Sequence, residues 1–167
     1  PDDYIVLSDS DEIPDFTKIE DINSTKKYLA FSQKMFMYKL NLQNLNESNW
    51  IGSKITKKKY IKSMQDLRNL KFKKYPFWRI DKYNQEIING GWHFSFLQSP
   101  HQILTKIKSF SHGEFNKEGI NEKNIEEKIL RNEDIFERKN KLKKVTIDNS
   151  YPDYIINNKE KLSNWII

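Results

Sequence analysis

A chain of 167 residues with 37% hydrophobic and 13% aromatic side chains holds enough apolar material for one domain with a real core. That is too much for a disordered segment, even at a mean hydropathy of −0.84. The formal net charge is +6, yet only Arg68, Arg79, Arg131 and Arg138 are arginine; a lysine excess lacks the planar fork that reads phosphates and bases, so a solvated surface is expected and no nucleic-acid partner. With no cysteine, disulfides, zinc thiolates and a cysteine nucleophile are excluded, and no run approaches the ~20 apolar residues of a membrane span.

In chain order, Ile5-Val6-Leu7 predicts a short buried strand whose carboxyl end opens into the loop Ser8-Asp9-Ser10-Asp11. A chain that opens directly on such a strand leads to the expectation of further residues before Pro1. Pro14 suits the first turn of a short helix over 15–22, with acidic residues ahead of it at the positive end of the dipole. The stretch 28–42, rich in Phe, Met and Tyr, reads as a strand or hairpin, and 50–56 as another strand. A modest amphipathic helix over 59–70 carries Ile61, Met64 and Leu67, and 72–86 reads as a loop. Over 87–97, Gly90 and Gly91 precede alternating Trp92, Phe94 and Phe96, which predicts a strand with His93 and Ser95 on its polar face and a possible close approach of backbone to ligand. Ser99-Pro100 starts a helix spaced by Ile103, Leu104, Ile107 and Phe110; further helices are predicted over 121–130 and 152–165. Strands alternate with helices, so the class expected is α/β in a single domain spanning 1–167.

The chemistry concentrates in the first loop. If the extended geometry of the strand persists, Asp9 and Asp11 point to one side and form an oxygen-only site for Mg²⁺ or Mn²⁺ that leaves positions for substrate phosphates. On spacing alone, a solvated turn with a helix cap is the stronger reading. His93 is read as a ligand-facing or a structural histidine, His101 as surface, and His112 as a further metal ligand or a helix-end cap. Trp50, Trp78 and Trp92 read as core more readily than as ligand platforms.

An ordered set then emerges: Asp2-Asp3 through Asp9-x-Asp11-Glu-Ile-Pro14, Trp50-Ile-Gly52, Arg68-Asn69, Gly91-Trp92-His93-Phe-Ser95, Lys106 through His112-Gly-Glu114, Arg138 and Pro152-Asp-Tyr154. Over nearly the whole chain this resembles glycosyltransferase family 17. The resemblance implies an inverting, metal-dependent transfer of N-acetylglucosamine from UDP-GlcNAc to a sugar hydroxyl of a glycan acceptor, on a GT-A-like, Rossmann-related fold. These residues would be its C-terminal part, with the nucleotide-binding half lying before Pro1. It further implies Mn²⁺ or Mg²⁺ on Asp9, Asp11 and His112, Glu114 as the catalytic base with His93 as a rival, Trp92 stacking on a sugar, and Lys106 or Arg138 holding phosphate. A eukaryotic member would work in the Golgi lumen behind an anchor, a microbial or viral one in the cytoplasm. The alternative is a non-catalytic glycan-binding or interaction module derived from the same fold.

Overall fold

The computed structural model describes residues 2–20, 26–73, 78, 84–109 and 120–167. Its elements are strands β1 (Tyr4–Leu7), β2 (Glu12–Ile13), β3 (Tyr28–Met37), β4 (Leu42–Asn44), β5 (Trp50–Lys57), β6 (Gln85–Ser95) and β7 (Leu142–Lys144). The helices are α1 (Thr17–Glu20), α2 (Met64–Asn69), α3 (Pro100–Ser109), α4 (Glu122–Leu130) and α5 (Asp153–Asn157), with 3₁₀ turns at Lys58–Tyr60 and Ser163–Trp165. Read from sequence as one unit, the chain divides into two compact ones that interleave along it: Pro1–Lys34 with Asn49–His93, and Met35–Ser48 with Phe94–Ile167. Among the described residues no helix is long and apolar enough to cross a membrane.

In the first unit β5 lies between β1 and β3, antiparallel to both, with a bulge between Ala30 and Ser32 on β3. The strand β1, expected to be buried, pairs with β5 alone among the described strands and keeps only half-buried side chains at Ile5, Val6 and Leu7. Burial belongs instead to β3, where Leu29 and Phe31 pack with Ile55 of β5. β3 is covered on both faces, which is why its sequence reads as a near-continuous apolar run and not as an alternation. β6 pairs with β3 on one side and with β2 on the other. The amide of Tyr28 donates to the Asn84 carbonyl (3.0 Å) and that of Tyr38 to the Ser95 carbonyl (2.9 Å), so β3 and β6 run in the same direction.

The expected amphipathic helix over 59–70 begins only at Met64, because Ser63 caps it: the Ser63 hydroxyl accepts from the Asp66 amide at 3.0 Å. The expected helix over 15–22 is a single turn at Thr17–Glu20 in the described part, and residues 21 and 22 lie outside the described residues.

The second unit is built on two helices with clear sequence signatures. Ser99 and Gln102 form a reciprocal capping box, the Ser99 hydroxyl accepting from the Gln102 amide (3.3 Å) and the Gln102 side chain accepting from the Ser99 amide (3.0 Å). Pro100 occupies the first helical position. Asn121 caps α4 by accepting from the Asn124 amide. Ile103 and Ile107, and Ile125 and Ile129, each one turn apart, bury against Met35, Met37, Tyr38, Leu42 and Ile135. The expected helix over 152–165 breaks after Asn157, leaving α5 and a 3₁₀ turn at Ser163–Trp165, since consecutive asparagines at 157 and 158 hold a helix poorly.

At the centre of this unit sits Asp134, its side chain 1% exposed. Its carboxylate accepts from the Tyr38 hydroxyl (2.7 Å), the Arg138 Nε (2.7 Å), the Asn140 amide group (2.7 Å) and the Phe136 backbone amide (3.2 Å). Burial alone would push this carboxyl up, but the hydrogen bonds from Arg138 and Tyr38 outweigh it and hold the group below the ordinary carboxylate value. Burial and the same contact push the Tyr38 hydroxyl up. Tyr38 ends β3 in the left-handed region (φ 65°), a strained setting for an aromatic residue that its hydroxyl anchor helps to hold.

Candidate active site

The loop after β1 is not extended. The Glu12 amide donates to the Asp9 carbonyl at 3.1 Å, closing a turn, and the Asp9 amide donates to the Glu12 carboxylate at 3.3 Å. The expectation that strand geometry would carry Asp9 and Asp11 to one side therefore fails, and each carboxylate finds its own partner. Asp9 pairs with Arg68 of α2 at 2.8 Å, both side chains about half exposed. Asp11 meets His93 Nε2 at 3.3 Å. Among the described residues no three histidine or carboxylate side chains converge as a metal group; the expected third ligand His112 and the expected base Glu114 lie outside the described residues.

His93 is one of the most constrained side chains of this unit. It stands opposite Glu12 in the β2–β6 register, is 6% exposed, and its ring lies 4.8 Å from that of Trp50. The Nδ1 atom is buried without a partner. Its Nε2 faces the Asp11 carboxylate, so the two ring nitrogens stand in different surroundings. The polar-face placement is corrected, since His93 is buried beside Trp50; its contact with Asp11 helps to orient that carboxylate. Trp92, its neighbour, is half buried opposite Ile13.

Around this pair the fold assembles side chains that spacing did not single out. The Glu12 carboxylate accepts from the Trp50 indole N–H (2.8 Å) and the Ser53 hydroxyl (3.3 Å). Ser53 in turn accepts from the buried Gln33 amide group (3.0 Å) and lies 2.7 Å from the Ser8 hydroxyl. Gly52 makes room for this: a Cβ there would stand 2.0 Å from Gln33 Oε1 and 2.8 Å from the Glu12 carboxyl carbon. Gly91, at φ +108°, allows the Ile13 carbonyl to approach where a Cβ would meet it at 2.5 Å. The close backbone approach expected at the paired glycines is to β2, not to a ligand. Lys54 donates to the Arg68 carbonyl; burial pushes its ammonium down, against the opposing charges of Glu12 and Asp9.

Two expected phosphate-holding residues, Arg138 and Lys106, lie in the second unit and have partners there. Arg138 grips Asp134 through Nε and Nη2, so its guanidinium completes the buried network. The Lys106 ammonium sits 4.6 Å from the centre of the Phe96 ring.

The geometry yields a half-exposed cluster of three acidic side chains, the Arg68 guanidinium paired with one of them, and a fixed, 38% exposed indole at Trp50. Such a net acidic cluster suits a cation, since carboxylate oxygens are the donors that Mg²⁺ or Mn²⁺ takes. No protein-family model matches the chain, and no curated protein or solved structure matches it either.

Proposed function

We propose that the protein is an inverting, metal-dependent glycosyltransferase of GT-A-like fold that moves N-acetylglucosamine from UDP-GlcNAc to a sugar hydroxyl of a glycan. The observation that carries the reading is the gathering of Asp9, Asp11 and Glu12 with Arg68, His93 and Trp50 at the carboxyl end of β1. The ordered motifs from the Asp-x-Asp loop to Gly91-Trp92-His93 support it.

Asp9 and Asp11 would hold Mn²⁺ or Mg²⁺, since two half-exposed carboxylates are a donor set that such an ion accepts when substrate phosphates complete its shell. When bound, the ion neutralises charge developing on the diphosphate leaving group. The residues of the chain do the rest. His93 holds the Asp11 carboxylate in one orientation. Arg68, released from Asp9 as the site fills, would turn its fork to phosphate oxygens. Glu12, with donors on both oxygens, fixes the indole of Trp50. Trp92 would stack on a sugar ring, and His112 would be a third ligand to the ion. Glu114 takes the proton of the acceptor hydroxyl as that oxygen bonds to the anomeric carbon and the bond to UDP breaks, which inverts the centre in one displacement.

The test is release of UDP from a panel of UDP-sugars in the presence of Mn²⁺. Asp11→Asn is expected to lower turnover of UDP-GlcNAc by about 10³-fold, on the scale of losing one preorganised charge contact. Turnover that survives this change intact removes the metal role, and a panel with no turnover at all removes the activity.

A further inference from the structure

The first unit holds a concave site that none of the acidic-loop side chains line. It is a cavity of about 540 Å³, bounded by Tyr28, Tyr60, Lys62, Asp66 and Asn69, with Leu67 in its wall. This size falls among the ~300–1,000 Å³ of small-molecule sites. The helix α2 divides its residues between the two places: Ser63, Asp66, Leu67 and Leu70 recur at helical spacing on the cavity side, whereas Arg68 is turned to Asp9.

The wall chemistry is mixed in a telling way. The Asp66 carboxylate is held by the Ser63 hydroxyl at 2.8 Å and presents its remaining lone pairs as acceptors. Asn69 spends its side-chain oxygen on Gln65 (2.9 Å), which leaves its amide N–H groups to donate. Lys62 makes no ion pair with a described residue and adds an ammonium donor. The ring of Tyr60 is held by the ammoniums of Lys27 and Lys59, 5.3 and 5.4 Å from its centre; Tyr28 donates its hydroxyl to the Tyr60 carbonyl and leaves its ring as wall. A purely apolar ligand would desolvate Asp66 and Lys62 without recompense. An inorganic anion would face the Asp66 carboxylate. A ring with one apolar side and several hydroxyls, each able to donate and accept, satisfies every one of these groups.

We infer that this cavity binds a pyranose ring of a glycan, at a sugar site separate from the acidic loop. It goes beyond the transferase reading and stands without it, because binding here needs neither a metal nor a nucleotide.

The experiment is a titration of the whole ¹⁵N-labelled chain with the methyl glycosides of N-acetylglucosamine, mannose, galactose and glucuronic acid, in EDTA, followed by amide chemical shifts. At least one glycoside should give saturable shifts at Tyr60 and along α2, with affinity lowered about tenfold by Tyr60→Ala and again by Asn69→Ala. Asn69 is exposed, so that variant tests the site even if Tyr60→Ala fails to fold. The inference is overturned if no glycoside shifts these amides at tens of millimolar, if both variants bind as the parent does, or if UMP or inorganic phosphate binds there and no sugar does. A chain that turns over no UDP-sugar yet gives these shifts loses the transferase reading and keeps this one.

Discussion

Asp134 and Asp9 are the same side chain in opposite circumstances. Asp134 is 1% exposed and has its oxygens filled by donors from Tyr38, Phe136, Arg138 and Asn140. Asp9 is half exposed and has one cationic partner, Arg68, equally exposed. A buried carboxylate with a complete set of donors has nothing left to offer a ligand, and its donors depend on it. A half-exposed carboxylate paired across water gives up its partner at small cost, which is the condition for exchanging that partner for something else. Charge alone does not mark a functional acid; what marks it is how cheaply its present contacts can be left.

The largest expected effect follows from removing the closed acid. Asp134→Ala leaves the Tyr38 hydroxyl, the Asn140 amide and the Arg138 guanidinium short of an acceptor. With Arg138 46% exposed and so partly rescued by water, the cost is about 3 kcal/mol in urea unfolding. A loss under about 1 kcal/mol would mean that the network is not the anchor that the geometry makes it. The same residue sets an acid limb. Its carboxyl titrates lower in the folded state than the ordinary value of 3.8, so the unfolded chain binds a proton first as pH falls. The contribution is whole above that value and is lost as pH drops from it through the folded one. Stability measured below pH ~4 should fall less steeply in Asp134→Asn than in the parent.

Next comes the packing beneath the open site. Gly52→Ala places a methyl group 2.0 Å from Gln33 Oε1, and Gln33 is fully buried and cannot swing into water. About 1–3 kcal/mol of destabilisation is expected, with the Trp50 to Glu12 contact disturbed because Glu12 stands at 2.8 Å. An alanine tolerated without loss would show that Gln33, Glu12 and Ser53 are loosely held, and the contrast with Asp134 would be one of exposure only.

What was legible in the sequence divides along similar lines. Contacts within one helix turn were: the Ser99-Pro100 start and the Ile103 and Ile107 spacing of α3 stand where local sequence put them, and α4 falls within the helix expected over 121–130. Contacts that depend on distant pairing were not. His93 alternates with apolar neighbours and so read as facing outward, but a strand with partners on both sides, lying against Trp50 from β5, buries that position as well. The acidic loop was found by its composition, and its geometry was missed, because the Glu12 to Asp9 hydrogen bond folds what strand continuity would extend. Arg68 and Glu12 belonged to the motif set but received no role, and Trp50 read as core although it is 38% exposed, since their meeting depends on distant parts of the chain coming together. Gly52 was the available signal: a glycine inside an otherwise β-branched and aromatic strand marks a side chain or backbone pressing on it.

The smallest expected effect on stability is the sharpest test of the comparison. Arg68→Ala removes an ion pair whose two members are 51% and 52% exposed, and such pairs contribute ~0–1 kcal/mol. Unfolding should therefore be nearly unchanged, in contrast to Asp134→Ala. The loss of Arg68 nevertheless leaves Asp9 without its counter-charge at 2.8 Å. If Asp9 is a metal ligand, a cation that had to displace the guanidinium no longer does, and Mn²⁺ should bind more tightly in calorimetric titration even as UDP-sugar turnover falls for want of a phosphate partner. Metal affinity that stays the same, together with turnover that stays the same, would place Asp9 with Asp134 as a structural acid, held at the surface and not in the interior.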